Sequence, residues 1–141
     1  MKQRLLNTLR SEETFLAALA TTGQDGRPRV RYVIAQIDDE LTIRCPTFHS
    51  TEKVTHIETQ PEVHLTCGDV DTSKPGSYFQ IEGLASIERG IEERELAWTA
   101  RLEKWFSGVA DDNFTVVKIV PYRIVALPIG GGPAPERWER S

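Results

Sequence analysis

Apolar residues recur along this chain in two rhythms, and the order in which those rhythms alternate outlines a fold. Leu5, Leu6 and Leu9 share one side at helical spacing, which predicts a short opening helix over residues 2–10. Residues 15–22, FLAALATT, read as a strand. Gly23, Asp25 and Gly26 follow, a hairpin-turn composition because these residues tolerate positive φ. Pro28 opens the next strand, where a missing N–H does little harm. Along residues 29–37 the side chains alternate. Arg29, Arg31, Val33 and Ala35 fall on one face, and Val30, Tyr32, Ile34 and Gln36 on the other. Asp38 and Asp39 predict a second turn, and residues 41–45 a third strand, giving an antiparallel meander.

The rhythm then changes. Ser50 or Thr51 is a suitable N-cap for a helix containing Lys53, Val54 and Ile57, and Pro61 closes it. Residues 62–68, EVHLTCG, alternate as a fourth strand, and residues 69–77 form a polar loop. Residues 78–88 read as a fifth strand with Gly83 inside it, the mark of a bulge, a bend or a close approach. Residues 91–106 predict the longest helix, with Leu96, Trp98, Leu102, Trp105 and Phe106 as apolar surface. Glu92 and Glu93 suit the dipole of its first turn. Residues 114–127 form a last long strand in which Pro121 predicts an edge or a bulge. The tail, residues 128–141, is flexible in composition but carries Trp138. Six short antiparallel strands joined by hairpin turns predict a mainly β fold, a barrel rather than an open sheet, in one domain over residues 1–141.

A chain of 141 residues can bury roughly two-thirds of its unfolded surface, so it needs neither disulfides nor structural metal. Cys45 and Cys67 are expected as small buried thiols. The net charge of −4 offers no global basic field for nucleic acid, although Arg27, Arg29 and Arg31 form a local patch. No segment approaches the ~20 apolar residues needed to cross a bilayer. The N-terminus lacks the apolar run of a signal peptide, so the expected location is the cytoplasm. His49, His56 and His64 have no metal-ligand spacing, and no HExxH or CxxC pattern is present. The paired carboxylates sit at turns and termini, and no nucleophile elbow or Ser-His-Asp pattern is present.

One constellation does suggest chemistry. A strand arginine, Arg31, precedes a hydroxyl-rich helix start containing Ser50, Thr51 and Lys53. Arginine, hydroxyls at a helix start and a nearby lysine can converge on one phosphate. Lys53 would sit in the first helical turn, where a cation opposes the dipole, and a bound anion would explain its presence.

With these residues in this order, the chain resembles the flavin-binding split-barrel superfamily of pyridoxamine-phosphate-oxidase-like proteins, and in particular its short general-stress-protein branch. The matching pieces are the opening helix, FLAALATTGQDGRPRVRYV, HSTEK…QPEVHL and YFQIEGLASIE, together covering roughly residues 2–90. The resemblance implies a six-stranded antiparallel split barrel of the FMN-binding type. It also implies a homodimer with flavin mononucleotide (FMN) at the subunit interface and an oxidoreductase activity on a small substrate. On this resemblance Arg31 binds the flavin phosphate or ribityl chain. The backbone of Tyr32, Val33 and Ile34 runs beside the isoalloxazine ring. Thr47 supplies a hydroxyl to the ring or ribityl chain, and Ser50, Thr51 and Lys53 complete the phosphate pocket. The isolated Trp138 is expected to dock on the partner subunit near the cofactor. Two departures point away from vitamin B6 oxidation. Glu52 stands where true oxidases carry a second basic residue, and their C-terminal Arg-and-Pro ending is absent. A non-catalytic flavin-binding stress-related carrier or sensor, and a deazaflavin- or haem-binding relative, are the other readings.

Overall fold

A computed structural model of the protein describes residues 1–68, 71–129 and 134–141. Seven antiparallel strands form one sheet: β1 (Phe15–Thr22), β2 (Pro28–Ile37), β3 (Ile43–Phe48), β4 (Glu62–Gly68), β5 (Gly76–Glu88), β6 (Phe114–Ile129) and β7 (Glu136–Glu139). Their order is β3-β2-β1-β4-β5-β6-β7, and β3 also pairs with β6. That extra pairing closes six strands into a barrel. The closure is uneven. β3 pairs with β6 along its whole length, from Ile43↔Ile119 to Phe48↔Phe114, but meets β2 only at Gln36↔Arg44 and Ile37↔Ile43. The barrel is therefore split between β2 and β3, as the predicted fold class requires.

The period-2 pattern explains the core. Ala17, Leu19 and Thr21 of β1 and Val33, Ala35 and Ile37 of β2 point inward, while Val30, Tyr32 and Ile34 point out. Leu65, Phe79, Ile81, Ile119 and Ile124 complete the buried apolar interior. Helix α1 (Lys2–Leu9) buries Leu5, Leu6 and Leu9 on this core. An eight-residue helix is marginal alone. Burying each leucine contributes about 1.5–3 kcal/mol, which offsets that cost. Helix α2 (Glu52–Thr59) joins β3 to β4 and buries Val54, His56 and Ile57. Cys45 and Cys67 are free and buried, and burial pushes both thiols up to about 12.

Gly83 does mark a bulge. The β5–β6 register shifts between Glu82 and Gly83, where Gly83 faces Pro121. A Cβ at Gly83 would lie 2.9 Å from both Ile119 Cγ2 and the Val120 carbonyl oxygen, so the close approach requires glycine.

Four predicted details change. The second turn runs through Leu41, so β3 begins at Ile43 rather than residue 41. The Asp38 carboxylate accepts the N–H groups of Glu40 and Thr42, and Leu41 takes φ 68° while burying its side chain. The helix predicted over residues 91–106 breaks. Helix α3 (Ile91–Ala97) ends at Trp98 and Thr99 in extended backbone, and a 3-10 turn (Ala100–Lys104) follows. Packing is the cause: Trp98 and Phe106 close on Phe114 at ring separations of 5.5 and 5.0 Å, around Ala97 and Val116. The tail expected as flexible supplies β7 as a seventh strand, beside β6 where β3 has left it. Finally, Thr51 is the N-cap residue of α2, but its hydroxyl donates back to the Phe48 carbonyl oxygen at 2.9 Å instead of capping a helix N–H. Residues 69–70 of the predicted polar loop and 130–133 of the tail lie outside the described residues. No described helix is long and apolar enough to cross a membrane.

Candidate functional site

The split leaves one side of β2 without a strand neighbour. Residues 28–35 pair only with β1, so alternate peptide groups of this stretch face the opening. A cavity of about 400 Å³ fills the gap. One wall is β2 from residue 32 to 36. A second comes from Pro46, Thr47 and Phe48 of β3 and from Thr51 and Lys53 at the start of α2. The third is the segment after the α3 break, with Thr99, Arg101, Leu102, Trp105 and Phe106. Thr14 and Leu16 complete the lining.

The lining is polarised. At one end the Thr47 and Thr51 hydroxyls lie 3.4 Å apart, and Lys53 Nζ donates to Thr51 Oγ1 at 3.3 Å. Lys53 has no carboxylate within 4.0 Å among the described residues. Burial lowers its pKa, and the nearby charge of Arg31 lowers it further, with the Cys45 thiol acting the other way. Burial also lowers Arg31, opposed by Glu52 and reinforced by Arg29. The two cations are thus close enough to repel each other, inside a partly desolvated site.

Arg31 is held by one nitrogen. Its Nη1 donates to Thr21 Oγ1 at 2.6 Å and to the Leu19 and Arg29 carbonyl oxygens at 3.3 Å. Its Nε and Nη2 groups have no protein acceptor among the described residues, and neither is sealed in the interior. An anchored guanidinium with its Nε/Nη2 edge uncommitted is the geometry for bidentate capture of an oxyanion. Glu52, which would weaken an anion site if it pointed inward, lies mostly exposed and places Oε1 3.0 Å from His56 Nε2.

Of the residues expected at the site, Tyr32, Val33, Ile34, Thr47, Thr51 and Lys53 line the cavity. Arg31 lies next to Lys53, just outside the lining. Ser50 is an exposed turn residue that does not reach it. Trp138 sits on β7 against the barrel core, beneath the Arg140 guanidinium, and does not line the cavity of its own chain. The whole third wall was missed. Trp98, Leu102, Trp105 and Phe106 fall at i, i+4, i+7 and i+8, the spacing of one continuous helical stripe, so no local signal marks the break that turns this segment into a wall. Among the described residues no three His, Cys, Asp or Glu side chains cluster as a metal site.

Around the opening, Leu16, Val30, Tyr32, Ile34, Phe48 and Trp105 are exposed, with Tyr32 at 75% and Val30 at 69%. That is a contiguous kind of apolar surface that soluble proteins usually cover. The site therefore combines two neighbouring cations beside a pair of threonine hydroxyls, a slot with aromatic walls, a strand edge offering peptide groups, and an apolar rim.

Known proteins share this architecture. The family model for pyridoxamine 5'-phosphate oxidase matches residues 3–127. General stress protein 26 of Bacillus subtilis is 33% identical over 130 residues, covering 92% of this chain and 90% of that protein. The crystal structure of general stress protein 26 from Bacillus anthracis superposes with a TM-score of 0.79 at 26% identity, over 99% of this chain and 98% of that one. A heme binding protein from Mycobacterium smegmatis shares the fold alone, with a TM-score of 0.76 at 16% identity, over 99% of this chain and 58% of that one. A family match across nearly the whole chain, on a barrel split beside a cationic cradle, leads to one assignment: the chain belongs to the pyridoxamine 5'-phosphate oxidase-like split-barrel superfamily, on its general stress protein branch.

Proposed function

We propose that this protein is an FMN-binding flavoprotein that acts as an oxidoreductase on a small substrate, as a homodimer with the cofactor at the subunit interface. The observation that carries the proposal is the pair Arg31 and Lys53. They are two partly desolvated cations with no carboxylate within 4.0 Å among the described residues, at the end of a cavity with aromatic walls. Leaving two such cations unneutralised costs free energy that a doubly charged phosphate would repay. FMN, when bound, supplies the hydride and electron transfer chemistry.

The chain's own residues supply the rest. Arg31 and Lys53, with the Thr47 and Thr51 hydroxyls, hold the phosphate. The peptide groups of β2 at residues 32–34, unpaired on the open side among the described residues, would be available to the polar edge of a bound flavin ring. N–H groups aimed at such an edge stabilise the negative charge that a reduced flavin carries. Phe48, Leu102, Trp105 and Phe106 give the slot apolar walls that keep water from the ring. The exposed face of Leu16, Val30, Tyr32 and Ile34 supports the dimer, because a second copy would cover it and close the open side of the cavity. Haem is the weaker fit. Among the described residues the lining holds no His, Cys or Met, the commonest side-chain ligands of haem iron.

The decisive measurement is the visible absorption spectrum, taken on the purified protein and again after FMN is added. A yellow, FMN-saturable protein is the expected result. A protein that stays colourless and leaves added FMN unbound overturns the reading. Reduction of the bound flavin by a nicotinamide donor, followed by turnover with an acceptor, separates an enzyme from a carrier. Sedimentation as a dimer at micromolar concentration is expected, and a monomer refutes the shared site.

A further inference from the structure

Behind Arg31 lies a chain of polar contacts that the cavity itself does not use. Thr21 Oγ1 accepts from Arg31 Nη1 at 2.6 Å and lies 2.8 Å from His56 Nδ1. His56 Nε2 lies 3.0 Å from Glu52 Oε1. Thr21 is 2% exposed and His56 5%, so bulk water cannot serve the two inner members. The three elements involved are β1, β2 and α2, and Thr21 and His56 are 35 residues apart.

Hydrogen bookkeeping fixes the direction of this chain. A guanidinium can only donate, so the Thr21 oxygen is an acceptor from Arg31. The hydroxyl proton then needs an acceptor, and the one recorded beside it is His56 Nδ1. With Nδ1 accepting, the neutral imidazole carries its proton on Nε2, directed at the Glu52 carboxylate. The opposite tautomer leaves the Thr21 proton without a partner and sets the Nε2 lone pair against a carboxylate. One arrangement therefore satisfies every group: Glu52 accepts from His56, His56 accepts from Thr21, and Thr21 accepts from Arg31.

We infer that Thr21 and His56 are positioning residues that lock the Arg31 guanidinium by its Nη1 edge and present its uncommitted Nε/Nη2 edge to the cofactor phosphate. The inference rests on the flavin reading above. Neither residue touches the ligand. Each acts by holding an acceptor where Arg31 needs one, so that rotamer freedom of the arginine is already lost before the phosphate arrives. The glutamate that replaces a basic residue beside Lys53 acquires a role here: it orients the imidazole rather than the anion.

The test compares FMN with riboflavin, which has the ring and ribityl chain but no phosphate. Thr21→Val keeps the shape and removes the hydroxyl. It is expected to weaken FMN binding by about 5- to 20-fold and to leave riboflavin binding within about twofold. Thr21→Ser is expected to restore FMN affinity. His56→Leu should behave like Thr21→Val, whereas His56→Asn, which keeps an acceptor near the Nδ1 position, should retain most of the affinity. In an Arg31→Ala background Thr21→Val should cost nothing further, because the group it positions is gone. Equal losses for FMN and riboflavin, or additive losses with Arg31→Ala, overturn the positioning role while the flavin reading stands. A wild-type chain that binds neither flavin overturns both. Side-chain nitrogen NMR of the wild-type protein supplies a readout independent of any flavin: a bare Nδ1 and a protonated Nε2 are expected at His56, and a protonated Nδ1 refutes the relay.

Discussion

Two pairs of cations flank the split in this barrel, and they are treated in opposite ways. At the closed end, Arg44 and Lys118 face each other across β3 and β6 and share the Glu93 carboxylate, with Asp38 pairing Arg44 as well. Arg44 Nε lies 2.6 Å from Glu93, Arg44 Nη1 lies 2.7 Å from Asp38, and Lys118 Nζ lies 2.8 Å from Glu93. At the open end, Arg31 and Lys53 have no carboxylate within 4.0 Å among the described residues. The acid–base behaviour follows. Burial lowers Arg44, but its bonds to Glu93 and Asp38 raise it above the ordinary value. The Arg44 guanidinium holds Glu93 down against burial, with Lys118 adding to the effect. Asp38 is pushed up by burial and pulled further down by Arg44 and the Thr42 N–H. Arg31 and Lys53 are both lowered, with burial the largest cause in each. A protein that neutralises one buried arginine with two acids has the means to neutralise another. Arg31 and Lys53 have no such neutralisation among the described residues, and the proposed phosphate would supply it.

The sharpest way to break the comparison is to remove the paired arginine. Arg44→Met leaves Glu93 and Asp38 with too little positive charge in a site where Arg44 is only 11% exposed. It is expected to cost about 2–4 kcal/mol of folding stability in urea titrations and to leave FMN affinity unchanged. Removing the unpaired cations should do the reverse. Arg31→Ala and Lys53→Ala are each expected to weaken FMN binding by about 1–3 kcal/mol, read by fluorescence quenching, with no loss of stability in the ligand-free protein. Equal stability losses at the two ends would erase the distinction.

A smaller effect concerns acid. Glu93 and Asp38 have folded values below their ordinary 4.5 and 3.8. Their stabilising contribution is therefore complete above those ordinary values and is lost as pH falls through the folded ones. Glu93→Gln should cost about 1–2 kcal/mol at neutral pH and flatten the decline of melting temperature in acid. The smallest expected effect is on the ligand side. FMN affinity should rise about three- to tenfold as pH climbs through roughly 6, where a phosphate monoester loses its second proton, while riboflavin affinity stays flat.

Much of this molecule can be read from local pattern. The alternation along residues 29–37 puts Arg31, Val33 and Ala35 on one face, and the structure turns that face inward. Gly83 announces its bulge because a strand tolerates a glycine there only for a spatial reason. Thr47, Thr51 and Lys53 gather at one end of the cavity because a strand end and a helix start are adjacent in the chain. The failures share a different cause. Residues 91–106 have enough helix-forming composition to suggest one helix, yet the contacts of Trp98 and Phe106 with Phe114 outweigh propensity and break it. Strand β7 forms because β6 outruns β3 and leaves an edge to be paired, a fact about a distant segment. Trp138 goes to the core for the same reason.

The amino-acid order alone determined six of the seven strands, the opening helix, the site of the bulge and the cationic character of the region around Arg31 and Lys53. These depend on side-chain period and turn chemistry within a few residues. Only the tertiary structure decided which cations are neutralised, that the segment after α3 becomes a cavity wall, and that Thr21, His56 and Glu52 stand behind Arg31. Those outcomes depend on closing long loops of chain and on how far each charge is removed from water, and neither quantity exists until the barrel has formed.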